Sequence, residues 1–306
     1  WFSMGSENTA IQLACLLILL VGFILILERM TQKQSKFYYQ TNTKQKPLTI
    51  PKLSTRFAIY MSCSVPFFLG FLIPLIYILN NSIQQFMMVD FSRLFTLSFN
   101  SIKVSFIASV FIILIALFFL YVEKISKLKL NTIITNITSL GYVIPGAVIG
   151  LAVILLFTQF PLFNNHLLVG SFFVLIYAYV FRFLAVGKSP IKSSLDKQPK
   201  AFEDTSKVLG VSSFKALRTI HLPLNKMALV IAFIVTFIDL LKELPITLIL
   251  RPFNFDTLAT QTYEFAVEEM LKASSIYSLM IIVIGSVLLI LLKYITNKQI
   301  HAFRSF

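Results

Sequence analysis

Three ionisable residues, Asp239, Lys242 and Glu243, stand close together in a segment that is otherwise almost entirely apolar. Their spacing of three and four residues would place all three on one face of a helix. A charged side chain is costly within lipid, so such residues normally face a bundle interior or a water-filled cavity. Two interpretations are open. Either they line a translocation path or its gate, where Glu243 meets a cationic substrate, or they form an ion pair that fixes helix register.

A polar stretch, EDTSKVLGVSSFKALRTIHLP at residues 203–223, is the second place where the residue pattern indicates a function. Helix-compatible residues lead to Gly210, which is typical of a C-terminal cap, and a second short helix is predicted to end at Pro223. The pattern therefore predicts a hairpin of two short helices outside the membrane. Resting on the bilayer surface is one open interpretation of such a hairpin. The second helix carries one apolar face, made of Phe214, Leu217 and Ile220.

No residue set in the sequence predicts catalysis, a metal site or a nucleotide site. The stretch GYVIPG has the two glycines of a phosphate-binding loop but lacks the Lys and Ser or Thr that hold nucleotide. If this protein uses ATP, another polypeptide must bind it. Gly146 and Gly150 instead predict close packing of two helices in lipid. The histidines have no partner cysteines or paired carboxylates at ligand spacing and fall in three separate loops or tails, at His166, His221 and His301.

These residues are set in a chain with the composition of an integral membrane protein. Of its 306 residues, 57% are hydrophobic and 13% are charged, and the mean hydropathy is +0.82. Seven apolar segments of about 17 to 25 residues are long enough to cross a bilayer as helices. Because no segment alternates apolar and polar residues, the sequence excludes a β-barrel and predicts an all-α fold. The predicted spans are residues 11–27, 57–79, 102–122, 143–160, 167–187, 227–250 and 276–295.

The Lys and Arg residues between the spans predict the orientation, because positively charged loops stay on the cytoplasmic side. Most of them lie between the first two spans and in the loop that contains residues 203–223. The N-terminus is therefore predicted outside, and the hairpin and the C-terminus are predicted in the cytoplasm. Two interpretations are open for Arg182, in the cytoplasmic half of the fifth span: its side chain snorkels towards the surface, or it has a functional role. The net charge of +14 results from this topology and does not indicate nucleic-acid binding.

The order of the segments predicts two parts. Residues 1–56 form a preceding transmembrane helix with a basic cytoplasmic linker, and residues 57–306 form a six-helix unit. The chain begins at Trp1 without an initiator Met, and a lone helix precedes six regularly spaced spans. We therefore expect a fragment, or the second half of a duplicated protein.

The polar stretch resembles the EAA loop of ABC-importer permeases, whose pattern is Glu-Ala-Ala, three residues, Gly, nine residues and Ile-x-Leu-Pro. Asp204-Thr205-Ser206 stands here in place of Glu-Ala-Ala, and Gly, Ile, Leu and Pro recur at the same spacing. The resemblance implies a MetI-like transmembrane domain over residues 57–306, with a loop at 199–223 that couples it to a cytoplasmic ATPase. The coupling residues that it implies are Glu203, Asp204, Gly210, Ile220, Leu222 and Pro223.

Residues 241–269 resemble a second stretch, from permeases of ferric-iron ABC importers, where Lys-Glu-Leu-Pro, Arg-Pro and Phe-Asp-Thr-Leu-Ala-Thr recur. This resemblance implies a permease of the bacterial inner membrane that moves ferric iron from a periplasmic binding protein to the cytoplasm. It also implies a second permease half, fused upstream or supplied by a second copy. ATP and Mg are expected on the partner ATPase dimer, with no cofactor on this chain.

Three other functions stay open from the sequence. A related ABC permease for thiamine, phosphonate, polyamine or sulfate would share parts of the same pattern. A secondary transporter driven by an ion gradient would not need the hairpin. A membrane scaffold would tolerate neutral residues at Asp239, Lys242 and Glu243. Association with an ATPase subunit separates these functions.

Overall fold

The computed structural model consists of helices joined by turns, and its described residues include no β-strand. It describes residues 7–32, 52–126, 134–135, 137–138, 140–159, 169–198, 205–206 and 208–304. This architecture confirms the all-α fold class. The main helices of the described ranges are α1 (Glu7–Gln32), α2 (Leu53–Phe67), α3 (Ile73–Gln85), α4 (Phe91–Ser126), α5 (Gly146–Gln159), α6 (Phe172–Asp196), α7 (Leu222–Leu241), α8 (Pro245–Leu250), α9 (Leu258–Val267) and α10 (Leu271–Arg304).

Several helical stretches are long and apolar enough to cross a membrane, as expected for an integral membrane protein. Two further apolar helices are shorter, Ile11–Ile24 and Gly146–Gln159, and they coincide with the first and fourth predicted spans. At about 1.5 Å per residue, the 14 residues of α5 cover only about 21 Å, which is less than a hydrocarbon core. Among the described residues, the five long stretches are Leu53–Met88, Phe91–Glu123, Phe172–Asp196, Phe214–Leu241 and Leu271–Asn297.

The core of the bundle lies where α4, α6 and α7 pack against one another. Small buried residues line these contacts, including Ala108 in α4, Ala178 in α6 and Ala232 in α7. Gly187 in α6 also faces α4, and a Cβ atom there would lie 2.6 Å from Cγ2 of Ile112. Because packing drives helix association in lipid, these small residues let the three backbones approach closely.

Two smaller groups of helices join this core. In one group α5 packs against α8, and a Cβ at Gly150 would lie 3.1 Å from the Ile249 side chain. This confirms the close helix packing that the sequence predicts at Gly150. In the other group α10 contacts α3, α7 and α9, and Leu94, Leu258 and Tyr277 form a second buried apolar cluster.

Two of the long stretches contain a π turn that ends two residues before a proline. The turn Phe68–Leu72 precedes Pro74, and the turn Leu217–His221 precedes Pro223. Since proline has no N–H, a carbonyl one turn earlier loses its usual partner, and a wider turn accommodates this without ending the helix. In the second turn, the N–H of Leu222 donates to the Leu217 carbonyl, five residues earlier.

The prediction that Pro223 ends the second helix of the hairpin is therefore wrong. Pro223 lies in the first turn of α7, where the missing N–H and the fixed φ of proline are well tolerated. The 28 residues Phe214–Leu241 form one continuous helical stretch, about 42 Å long at 1.5 Å per residue. This stretch joins the hairpin directly to a membrane span.

The prediction of one continuous helix over residues 227–250 is also wrong. α7 ends at Leu241 and α8 begins at Pro245. In a continuous helix the Pro245 ring would clash with the Leu241 carbonyl four residues earlier, which favours a kink or a break, and here the helix ends. Residues 242–244 form an interruption between the two helices, which we call the 242–244 break.

The close contact between α4 and α6 leads to a stability prediction. Gly187→Ala should destabilise the protein by roughly 1–3 kcal/mol, because its Cβ would press on the branched Ile112 side chain. Gly285→Ala is the matched control, since that Cβ would meet its nearest neighbour at 4.0 Å and alanine favours a helix interior. The melting temperatures of both variants in nanodiscs provide the measurement. A Gly187→Ala variant as stable as Gly285→Ala would contradict the described packing.

Candidate gate and coupling hairpin

A buried ion pair joins the middle of α6 to the 242–244 break. Nη1 of Arg182 donates to Oε1 of Glu243 at 2.8 Å. The two side chains are 17% and 6% exposed, so bulk water screens the pair only weakly. Because an unpaired charge is costly in such surroundings, each residue constrains the position of the other.

The backbone at the break is held by the same glutamate. Oε1 of Glu243 also accepts from the backbone N–H of Ile246 at 3.1 Å, in the first turn of α8. The Thr247 hydroxyl donates its one hydrogen to the Glu243 carbonyl at 2.9 Å. In any second hydrogen bond, the Thr247 oxygen therefore acts as the acceptor. The hydroxyl oxygen of Tyr179, on α6, lies 2.5 Å from Oγ1 of Thr247, and Tyr179 donates the hydrogen of this bond. α8 is thus attached to α6 through both the Arg182–Glu243 pair and the Tyr179–Thr247 bond.

The beginning of α5 meets the ion pair from a third direction. A Cβ atom at Gly146 would collide with the Arg182 guanidinium and would lie 3.0 Å from Oε1 of Glu243. Just before α5, Gly141 lies directly against the backbone carbonyl of Phe181. The N-terminal end of a helix also favours a nearby negative charge. The start of α5 and the junction of α7 with α8 therefore both meet α6 at this ion pair.

This arrangement differs from the one that the sequence predicts for Asp239, Lys242 and Glu243. α7 ends at Leu241, so the three residues do not share a helical face. Asp239 pairs with Lys242 at 2.9 Å, and 62% of the Lys242 side chain is exposed, which limits the strength of that pair. Glu243 is buried with Arg182 instead. The ion-pair geometry thus separates an outer pair at Asp239 and Lys242 from an inner pair at Glu243 and Arg182.

Sequence reasoning missed the importance of Arg182. Instead of extending to a surface, its side chain is enclosed in the bundle, with the guanidinium 5.4 Å from the Phe183 ring. Its Nε is buried without a hydrogen-bond partner among the described residues. The available clue was the rarity of such a residue, because a charge in the middle of an apolar segment usually requires a partner charge.

The hairpin shows the glycine cap that the sequence predicts. Gly210 has φ +64, a left-handed conformation that residues with a side chain rarely adopt. The Leu209 N–H donates to the Thr205 carbonyl at 3.0 Å, and the Val211 N–H donates to the Ser206 carbonyl at 2.9 Å. The second of these bonds spans five residues, as in a Schellman cap. The predicted turn at Gly210 is therefore confirmed as a backbone structure.

The hairpin presents apolar side chains at its tip. Val208, Leu209 and Phe214 are 86%, 72% and 73% exposed, although each belongs to a type that is usually buried in soluble proteins. Among the other residues of the implied coupling set, Pro223 is exposed and Ile220 and Leu222 are half-buried. Glu203 and Asp204 lie outside the described residues.

A metal site is not evident in the part of the chain that the structure describes, where no three His, Cys, Asp or Glu side chains come close enough to hold an ion. The sequence placed His221 in a loop, but the structure buries it in a helical turn in contact with Gln198. The only indication in the sequence that His221 is important was its position within the stretch that resembles the EAA loop, two residues before Pro223.

The chain matches a family described as "Binding-protein-dependent transport system inner membrane component" over residues 120–301. It is 27% identical over 204 residues to the Fe(3+)-transport system permease protein FbpB 2 of Haemophilus influenzae, which covers 67% of this chain and 40% of that protein. It is 33% identical over 102 residues to the putative ferric transport system permease protein FbpB 1 of the same organism, which covers 33% of this chain and 16% of that protein. The chain thus spans less than half the length of these relatives.

Two solved structures share the fold. One is a bacterial alginate ABC transporter in complex with an alginate pentasaccharide-bound periplasmic protein, with a TM-score of 0.65, 13% identity and coverage of 80% of this chain and 94% of that chain. The other is a bacterial ABC transporter involved in the import of alginate, with a TM-score of 0.65, 12% identity and coverage of 80% and 96%.

The buried ion pair leads to a second stability prediction. Glu243→Gln should destabilise the protein by roughly 3–5 kcal/mol, because it leaves the Arg182 charge buried and unpaired. Asp239→Asn is the control and should cost roughly 0–1 kcal/mol, since its partner Lys242 is exposed to water. Adding Arg182→Gln to Glu243→Gln should recover stability. The measurement is the melting temperature in nanodiscs, and equal values for the two single variants would contradict the assignment.

Proposed function

Because the chain belongs to the family of binding-protein-dependent transport system inner membrane components, which matches more than half of its residues, we propose that it is the membrane permease part of an ATP-driven importer. The proposal places it in a bacterial inner membrane as a multi-pass protein. The N-terminus of residues 1–56 lies outside and the C-terminus lies in the cytoplasm. Residues 57–306 form the transport domain.

The proposed substrate is ferric iron, delivered by a periplasmic binding protein. Both curated relatives carry ferric transport in their names, and their similarity to this chain is the main support. Residues 241–269, which resemble ferric-iron permeases, also form α8, α9 and the 242–244 break beside the ion pair. The segment that resembles ferric-iron permeases is therefore the segment that borders the proposed gate.

The coupling role of the hairpin rests on one observation, the continuous helical stretch Phe214–Leu241. One end of this stretch carries the exposed Phe214 side chain, and the other end reaches the 242–244 break beside Glu243. A displacement of the hairpin by an ATPase is therefore transmitted along one helix to the ion pair. The partner ATPase dimer binds ATP and Mg, and its closure displaces the hairpin through residues 203–223.

The gate consists of α5 and α8, which meet α6 at the Arg182–Glu243 pair. In the closed state this pair holds the start of α5 and the start of α8 against the core of α4, α6 and α7. Movement at the 242–244 break separates the two charges and lets α5 and α8 move away from the core. Asp239, Lys242 and Glu243 then border the path. A second permease half, fused upstream or supplied by a second copy, forms the other wall.

The function is tested by uptake of radiolabelled ferric iron in cells that lack the full-length gene and are complemented with the full-length protein. We expect wild type to restore uptake and Gly210→Asp, in this chain's numbering, to abolish it while leaving membrane insertion intact. The physical reason is that the substitution adds bulk and charge at the hairpin turn. Co-purification with an ATPase subunit should accompany uptake.

The control for Gly210→Asp is Gly170→Asp. Gly170 also has a left-handed backbone, with φ +80, and open space around its Cβ position, but it lies at the opposite end of α6 from the hairpin. Equal uptake by wild type and Gly210→Asp would exclude the coupling role. Unchanged iron uptake in the uncomplemented cells would exclude iron, and thiamine, phosphonate, polyamines and sulfate would then be tested. Transport without an ATPase would favour an ion-gradient-driven carrier.

The gate is tested separately with the Arg182→Gln/Glu243→Gln double variant. This variant removes both charges together, so it leaves no unpaired charge and should insert and fold normally. We expect its net iron uptake per molecule to fall about tenfold, because a neutral pair holds α5 and α8 less firmly against the core and iron then leaks back through the path between cycles of ATP hydrolysis. Uptake at the wild-type rate would remove the pair from the gate.

A further inference from the structure

His221 lies buried at the junction between the hairpin and α7, in the π turn Leu217–His221. Its neighbours Arg218 and Thr219 are exposed, whereas only 4% of His221 is accessible. Within the Ile-x-Leu-Pro pattern of the EAA loop, this residue occupies the position with no specified identity. The pattern therefore assigns it no role, and its role depends on its contacts.

The imidazole ring is hydrogen-bonded to the end of α6. Nδ1 of His221 lies 2.8 Å from Oε1 of Gln198, which comes two positions after the last residue of α6. An amide oxygen can only accept, so Nδ1 carries the proton and donates it to Gln198. This bond joins the exit of the hairpin to the helix that carries Arg182.

Two further contacts surround His221. The Tyr121 ring of α4 meets the imidazole edge-on, with the ring centres 6.2 Å apart. On α7, Nδ2 of Asn225 donates to the His221 carbonyl at 2.6 Å, and Asn225 is itself buried. His221 is therefore in contact with α4, α7 and the end of α6, the three helices that form the core of the bundle.

We propose that His221 is a positioning residue that attaches the coupling hairpin to all three core helices, so that displacement of the hairpin moves the core as one body. Without this attachment, displacement of the hairpin is absorbed by bending at the π turn and does not reach the 242–244 break. ATP hydrolysis then continues without opening the gate. This inference rests on the proposed importer function.

The test compares transport with ATP hydrolysis in the same proteoliposomes, which contain the full-length protein with its ATPase and binding protein. We expect His221→Leu to lower the iron transported per ATP hydrolysed by about tenfold, because leucine fills the site but cannot donate to Gln198. ATP hydrolysis per assembled complex should stay within about twofold of wild type. Gln198→Leu removes the acceptor of the same hydrogen bond and should reproduce the effect, although Gln198 lies outside the hairpin.

The conservative variant His221→Gln separates this role from simple structural support. A glutamine amide can donate to Gln198, so we expect this variant to recover most of the lost coupling. The proposal is overturned if His221→Leu keeps the wild-type ratio, if transport and hydrolysis fall together, or if His221→Gln behaves like His221→Leu. A wild-type complex that neither transports iron nor hydrolyses ATP would instead overturn the proposed function.

Discussion

The arrangement of the bundle depends on one buried ion pair between Arg182 and Glu243. A buried ion pair of this kind adds little net stability, because the cost of removing both charges from water offsets their attraction. Removing one partner alone is strongly destabilising, so the main effect of the pair is to fix geometry. Here it fixes α6 against the start of α8, and it leaves room for α5 only because residue 146 is a glycine. Three segments that are far apart in the sequence therefore have one relative position in which both charges are satisfied.

Prolines determine where the helices around this ion pair end or bend. Pro245 forces the end of α7 and so creates the 242–244 break, whereas Pro223 is absorbed by a π turn and leaves its helix continuous. The two prolines also differ in the length of helix on their C-terminal side. After Pro223 the apolar helix continues for about five turns, but from Pro245 only six residues are helical before the chain turns at Arg251.

Features that depend on neighbouring residues were predictable from the sequence. The apolar segments predicted the fold class, and Gly210 predicted the cap of the hairpin, because both depend on local chemistry. The partner of Glu243 was not predictable in this way, since Arg182 is 61 residues away and only the packing of α6 against α7 brings it close. The contact between His221 and Gln198 depends on the same packing. The 242–244 break was foreseeable, because a proline in the interior of a helix clashes with the carbonyl four residues earlier and favours a kink or a break.

The first long stretch, Leu53–Met88, is less buried than the other long stretches. None of the residues of α2 is buried, and the 36 residues of the stretch would measure about 54 Å if straight, against about 30 Å of hydrocarbon. Such hydrophobic mismatch is relieved by tilting or bending, and Pro66, the π turn Phe68–Leu72 and Pro74 provide the place to bend. Because α3 packs against α10 while α2 is exposed along its length, α2 can adjust its tilt as bilayer thickness changes without disturbing the core.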